Sequence, residues 1–315
     1  MTAETGELSL SEIRLAADRI RPYILATPLL NGEALAGPGV WLKAENLQRT
    51  GSFKLRGAVN AVAQLTPEQR GRGVITLSAG NHGQALAYAA RTFGVPCVVV
   101  VRDDAQRTKL DAIRSYGAEL VLVPIDQWQT RLEEEQARRH LQLVHPFDDP
   151  LVVAGQATVG QEILEAVSDL RSVVVPVGGG GLISGVAMAI KQQRPEVRIF
   201  GVEPQQAAVV SESLAAGHPV APSRLDSIAD ALATPYTRLY NLDIIRRYVD
   251  RVLTVSDEAI AAAVKLVAIG SKLLVEPAGA AAVAALLDGD GFERPAVVIL
   301  SGGNVDASRL ARWLV

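Results

Sequence analysis

Short apolar runs recur along the chain, each followed by a stretch with helical spacing. The runs span residues 40–44, 73–77, 96–101, 120–123, 141–144, 173–177, 198–202, 252–255 and 296–300. Unbroken apolar runs of this length suit strands that are covered on both faces. Helical spacing fills residues 85–91, 106–116, 131–139 and 161–168. Regular alternation of this kind predicts an α/β fold of mostly parallel open sheets flanked by helices. In 315 residues it predicts two such sheets in two domains. Asp148, Asp149 and Pro150 interrupt the pattern and are read as a crossing between domains. In the helix near residue 135, Glu134 stands four residues before Arg138 and Glu135 four before Arg139, an order expected of ion pairs on a solvated face.

Composition narrows the function. Apolar residues make up 49% of the chain, charged residues 21%, and the net charge is -3, which argues against a basic nucleic-acid binder. The single cysteine, Cys97, excludes an internal disulfide and fits a reducing, cytoplasmic setting. The opening MTAETGELSL lacks the basic-then-apolar pattern of a secretory signal. Residues 173–190 carry no charge, but Pro176 and four glycines make them a strand, turn and helix, so no membrane partner is expected.

Four segments place small or polar residues at the ends of expected strands, where open parallel sheets bind ligands. In the first, Gly178, Gly179, Gly180 and Gly181 precede a helical stretch. Successive N–H groups there can converge on a phosphate, with the helix adding its positive end. A tight turn is the alternative. In the second, GSFKLRGA at residues 51–58, Lys54 opens a helix, where the dipole disfavours a cation and eases deprotonation to a nucleophilic amine. An exposed lysine with a snorkelling stem is the alternative. In the third, SAGNHGQ at residues 78–84 offers a hydroxyl, an amide and helix N–H groups suited to a substrate carboxylate, or simply an N-cap. In the fourth, SGGN at residues 301–304, Ser301 can present a neutral hydroxyl, or the segment is a glycine-rich exit turn.

Together these segments resemble the pyridoxal-phosphate enzymes of the tryptophan-synthase β-subunit superfamily, fold type II, and within it the serine/threonine dehydratase and serine racemase branch. HPFDDP at 145–150, AGQATVGQEI at 154–163 and EPAGAA at 276–281 resemble that branch as well, in the family's order. The resemblance implies pyridoxal 5'-phosphate as cofactor, bound covalently by Lys54, which also serves as base at the substrate α-carbon. It implies Phe53 beside the ring, Asn81 on the cofactor's 3' oxygen, Gly178 to Gly181 on the phosphate and Ser301 at the pyridine nitrogen. Ser78, Ala79, Gly80, Asn81 and His82 are implied to surround the substrate carboxylate. A homodimer is implied, with a large domain of residues 1–72 and 148–315 and a small mobile domain of 73–147.

The implied reaction is β-elimination from a 3-hydroxy amino acid such as L-threonine or L-serine, giving a 2-oxo acid and ammonia. Serine racemase is the alternative, as is a dehydratase of 3-hydroxyaspartate or a hydroxyectoine-derived amino acid. The racemase branch has a second serine where this chain has Ala79. Its divalent-cation site (Mg or Mn) resembles Glu203 and the carbonyl of Ala207, but Val209 stands where a carboxylate is expected. The few residues after Asn304 predict no appended regulatory domain and no feedback of the isoleucine type.

Overall fold

The computed structural model describes residues 7–78, 80–105, 107–289 and 291–314. Among the described residues ten strands alternate with helices: β1 Leu29–Asn31, β2 Val40–Lys43, β3 Val74–Leu77, β4 Cys97–Arg102, β5 Glu119–Val123, β6 Gln142–Leu143, β7 Ser172–Pro176, β8 Arg198–Pro204, β9 Arg251–Val255 and β10 Ala296–Ile299. They form a six-stranded sheet of order β1-β2-β10-β7-β8-β9 and a four-stranded sheet of order β5-β4-β3-β6. All pairings are parallel except β1 with β2. The expected strands are therefore present, while β1, three residues long, has no counterpart in the sequence reading.

The larger sheet carries buried residues on both faces. Helix Pro277–Leu287 packs on one side with Val174, Val202 and Val298, and helix Gly181–Lys191 on the other with Val173, Val175 and Val297. A further apolar cluster runs from Ile20 and Leu55 through Val74, Leu86 and Val99 to Val152. Helix Lys54–Ala63 thus packs in the same core as the four-stranded sheet, although it precedes residue 73.

One expected boundary gains detail and one expectation changes. Asp149 and Pro150 begin the long helix Pro150–Ala166, with the Asp149 carboxylate accepting from the Leu151 N–H at 2.8 Å and Pro150 at the first helical position. Glu135 is not on a solvated face: it is only 3% exposed and pairs with Arg138 at 2.6 Å and Arg139 at 2.7 Å, while Glu134 pairs with Arg131 at 3.2 Å. Leu132 on the same helix is buried too, so the helix sinks deeper than its charges suggest.

Candidate active site

Lys54 is the first residue of helix Lys54–Ala63 and is half-buried. Its Nζ donates to the Pro146 carbonyl at 2.7 Å and lies 5.1 Å from the centre of the Phe53 ring. Among the described residues no carboxylate pairs with it, and burial pushes its pKa down to about 8. Its place at the first helical position adds a dipole that acts in the same direction. Beneath it, the fully buried Arg56 joins Glu45 at 2.8 Å and Glu162 at 2.6 Å, tying the first turn of the helix to two neighbouring elements. Because a free amine captures a carbonyl and an ammonium does not, covalent loading of the apoprotein with pyridoxal phosphate should accelerate with pH and level off above about 8. Stopped-flow absorbance checks this; a rate still climbing past the ordinary lysine range would show Lys54 to be unperturbed.

The lysine loop is clasped to the fourth segment by backbone. Ser52 bridges Gly302, the Phe53 N–H donates to the Ser301 carbonyl at 3.1 Å, and the Gly303 N–H donates to the Gly51 carbonyl at 2.9 Å. Gly51 has φ +71, and a Cβ there would sit 2.4 Å from Asn304 Oδ1, so only glycine fits. Ser301 is buried, and its hydroxyl donates to the Ala278 carbonyl at 3.3 Å.

The third segment ends β3 and starts helix Asn81–Phe93. The Gly80 N–H donates to Ser78 Oγ at 3.2 Å. Asn81 Nδ2 donates to Glu276 Oε1 at 2.6 Å, and Asn81 Oδ1 accepts from Asn304 Nδ2 at 2.7 Å. His82 is buried, and its Nε2 donates to the Val144 carbonyl at 2.9 Å, which sets the neutral tautomer. Burial and the nearby Lys54 amine push its pKa down to about 3, so its ring supplies no charge to a carboxylate. Ala79 lies outside the described residues.

Residues 178–181 leave β7 and enter helix Gly181–Lys191, with Gly180 at φ +95. A Cβ on Gly179 would fall 2.5 Å from the Phe147 ring, one on Gly181 2.9 Å from Phe147 Cβ, and one on Gly178 3.0 Å from the Leu232 carbonyl. Packing therefore requires these glycines as firmly as any ligand does. The Gly179 carbonyl is held by Thr237 Oγ1 and Asn241 Nδ2, each at 3.2 Å. Among the described residues no acceptor takes the N–H groups of Gly178 to Gly181. Unspent donors on a side-chain-free turn at a helix start fit a phosphate.

Residues 145–147 join these parts. Pro146 receives Lys54, Phe147 packs on the glycines, and His145 Nδ1 accepts the Asp148 N–H at 2.9 Å. His145 Nε2 therefore carries the proton and donates to Tyr236 Oη at 3.2 Å. Burial and the Arg238 and Lys54 charges hold this ring neutral, with a pKa of about 4. Sequence reasoning assigned no role to Phe147, Tyr236, Thr237, Asn241 or Glu276. The HPFDDP and EPAGAA motifs flagged two of these stretches, and nothing in the spacing marks the other three residues.

The expected cation ligand Glu203 does something else. It is buried and accepts from the Val210 N–H at 2.7 Å, the Ser211 N–H at 2.8 Å and Ser211 Oγ at 2.6 Å, capping helix Val209–Ala216. Ala207 supplies no further charge. No group of three His, Cys, Asp or Glu among the described residues could hold a metal. No described helix is long and apolar enough to cross a membrane.

A desolvated lysine, an N–H cradle at a helix start and a neutral buried hydroxyl, all at the carboxyl ends of parallel strands, define an α/β enzyme built for a phosphorylated carbonyl cofactor. The chain belongs to the pyridoxal-phosphate dependent enzyme family, which matches residues 20–302. The L-threonine ammonia-lyase of Geobacter sulfurreducens is 41% identical over 306 residues, 95% of this chain and 76% of that one. The serine racemase of Dictyostelium discoideum is 38% identical over 318 residues, 98% of each. Among solved structures, a T.th. threonine deaminase superposes with a TM-score of 0.90 at 39% identity, covering 95% of this chain and 99% of that one.

Proposed function

We propose that the protein is an ammonia-lyase that removes the hydroxyl and amino groups of a 3-hydroxy amino acid, such as L-threonine or L-serine, releasing a 2-oxo acid and ammonia. The observation that carries this reading is the unpaired, desolvated Lys54 amine locked by backbone to a neutral Ser301. The threonine ammonia-lyase and threonine deaminase relatives support it.

The residues present fit pyridoxal phosphate. Lys54 would hold its carbonyl carbon, residues 178–181 its phosphate, Asn81 its ring oxygen and Ser301 its ring nitrogen, with Phe53 beside the ring. When bound, that group draws charge from the substrate α-carbon. The protein's part is positioning and proton transfer. Ser78 and the free N–H groups at the start of helix Asn81–Phe93 orient the carboxylate. Lys54, partly neutral near pH 7 to 8, takes the α-proton. Ser301, having no charge, would not compel a proton onto the ring nitrogen, which favours loss of the β-hydroxyl; together with the α-proton taken by Lys54 it leaves as water. The rings of His145, Phe147 and Tyr236, with centroids 4.6 to 6.2 Å apart, wall the site from water.

The unit around the four-stranded sheet, residues 73–147, is proposed to close over the substrate. Lys109 to Asp230 at 2.9 Å, Thr108 to Asp306 and the Asn81 bonds to Glu276 and Asn304 are among its ties to the rest of the chain. A cytoplasmic homodimer completes the proposal, and sedimentation tests the dimer. A divalent cation is not part of it. The direct assay is 2-oxo acid release from a panel of 3-hydroxy amino acids by the cofactor-loaded protein. Release from at least one supports the reading, and none from any of them overturns it.

The racemase reading needs a proton donor on the face of the α-carbon opposite Lys54. The family resemblance puts that donor at position 79, where this chain has only a methyl group. L-serine should therefore give pyruvate with little D-serine. Ala79→Ser should raise the D-serine to pyruvate ratio by about tenfold or more. Substantial D-serine from the unsubstituted protein would make racemisation the main activity.

A further inference from the structure

Asn81 has one amide to spend, and the structure dictates which way round it sits. The Thr50 carbonyl can only accept, so the Asn304 group 2.8 Å from it is Nδ2. That same Nδ2 lies 2.7 Å from the Asn81 amide, whose facing atom must then be Oδ1. Asn81 Nδ2 is thereby turned to Glu276 Oε1 at 2.6 Å, which uses one of its two N–H bonds and leaves the other.

Glu276 is placed for this and for little else. It stands at the N-cap of helix Pro277–Leu287 but makes no side-chain cap. It is 2% exposed, and its N–H donates to the Gly302 carbonyl at 3.1 Å. A Cβ on Gly302 would lie 2.3 Å from Glu276 Oε1, so glycine at 302 is what admits the carboxylate. Its hydrogen-bond partner, Asn81, is neutral. A glutamine would accept the same bond without the cost of burying a charge, so stability alone does not account for a glutamate here.

We propose that Glu276 and Asn304 are positioning residues that clamp the Asn81 amide from both sides, so that its remaining N–H is held out for the cofactor. This rests on the reading that Asn81 faces the cofactor. The charged groups acting on Glu276 are Lys109, Arg309 and Asp230. With burial the dominant cause they leave its pKa raised to about 7, so the clamp passes between carboxylate and acid in the working pH range.

The test uses the cofactor-loaded protein and reads the pyridoxal phosphate dissociation constant and the visible absorbance against pH. Glu276→Ala should weaken cofactor binding about tenfold or more, the loss expected when a charged acceptor leaves an amide unheld. Glu276→Gln keeps an acceptor, so it should stay within about threefold in affinity while losing the absorbance change near neutral pH. In an Asn81→Ala background, Glu276→Ala should add nothing further. Unchanged affinity and spectrum in a folded Glu276→Ala protein would overturn the proposal, as would a full additional loss in the Asn81→Ala background. If Glu276→Ala does not fold, Asn304→Ala reads the other side of the clamp: a loss of affinity of about tenfold supports it and an unchanged affinity refutes it. A cofactor trapped on a lysine other than Lys54 would instead refute the reading of the site as a whole.

Discussion

Lys54→Ala should lower 2-oxo acid release by about four orders of magnitude, since one change removes both the covalent anchor and the base at the α-carbon. The fold should survive it. The side chain's one hydrogen bond goes to the Pro146 carbonyl, and no ion pair is lost. The apoprotein should in fact gain stability at neutral pH. A lysine whose pKa falls to about 8 on folding binds fewer protons in the folded chain than in the unfolded one between that pH and the ordinary value of 10.5. Stability of the unsubstituted apoprotein therefore rises with pH across that window, and the alanine variant should lack the rise. Thermal unfolding at pH 7 and pH 10, run beside the activity assay, reads both effects. Activity within tenfold of the unsubstituted protein would remove Lys54 from the chemistry.

Gly179→Asp should cost about a hundredfold or more in pyridoxal phosphate affinity, because a carboxylate would face the phosphate in a site built from N–H donors. Packing complicates the reading, since any Cβ at 179 falls 2.5 Å from the Phe147 ring. Gly179→Ala separates the two contributions: it presses on Phe147 without adding charge. The difference between the two variants is the electrostatic part, and it should shrink as salt is raised. Equal affinities for Ala and Asp would mean that residues 178–181 are a packing device and no anion cradle.

What was legible in the chain follows the physics of each element. Strands buried on both faces leave continuous apolar runs, so 173–177 and 296–300 gave themselves away. The strand Leu29–Asn31 did not, because three residues at a sheet edge leave no pattern. Helix Pro150–Ala166 was visible only in its last turns. Residues 152–160 are buried all round and so lack the polar face that periodicity detects. In the candidate site, Lys54, Asn81, the glycines and Ser301 stood out because each lies beyond a strand and breaks its composition. The neighbours that set their chemistry were not. Glu276 stands 195 residues from Asn81, and Asn241 62 from Gly179, separations that only the folded chain closes. The family resemblance linked Glu203 to a cation, and the pattern was silent on the backbone N–H groups at the start of helix Val209–Ala216 that it binds.

The central claim is that Lys54 is the amine that takes up pyridoxal phosphate. Borohydride reduction of the cofactor-loaded protein, followed by proteolysis and mass mapping, tests it most directly. The label should fall on the peptide containing Lys54; a label on Lys43, Lys109, Lys191, Lys265 or Lys272 instead would contradict it.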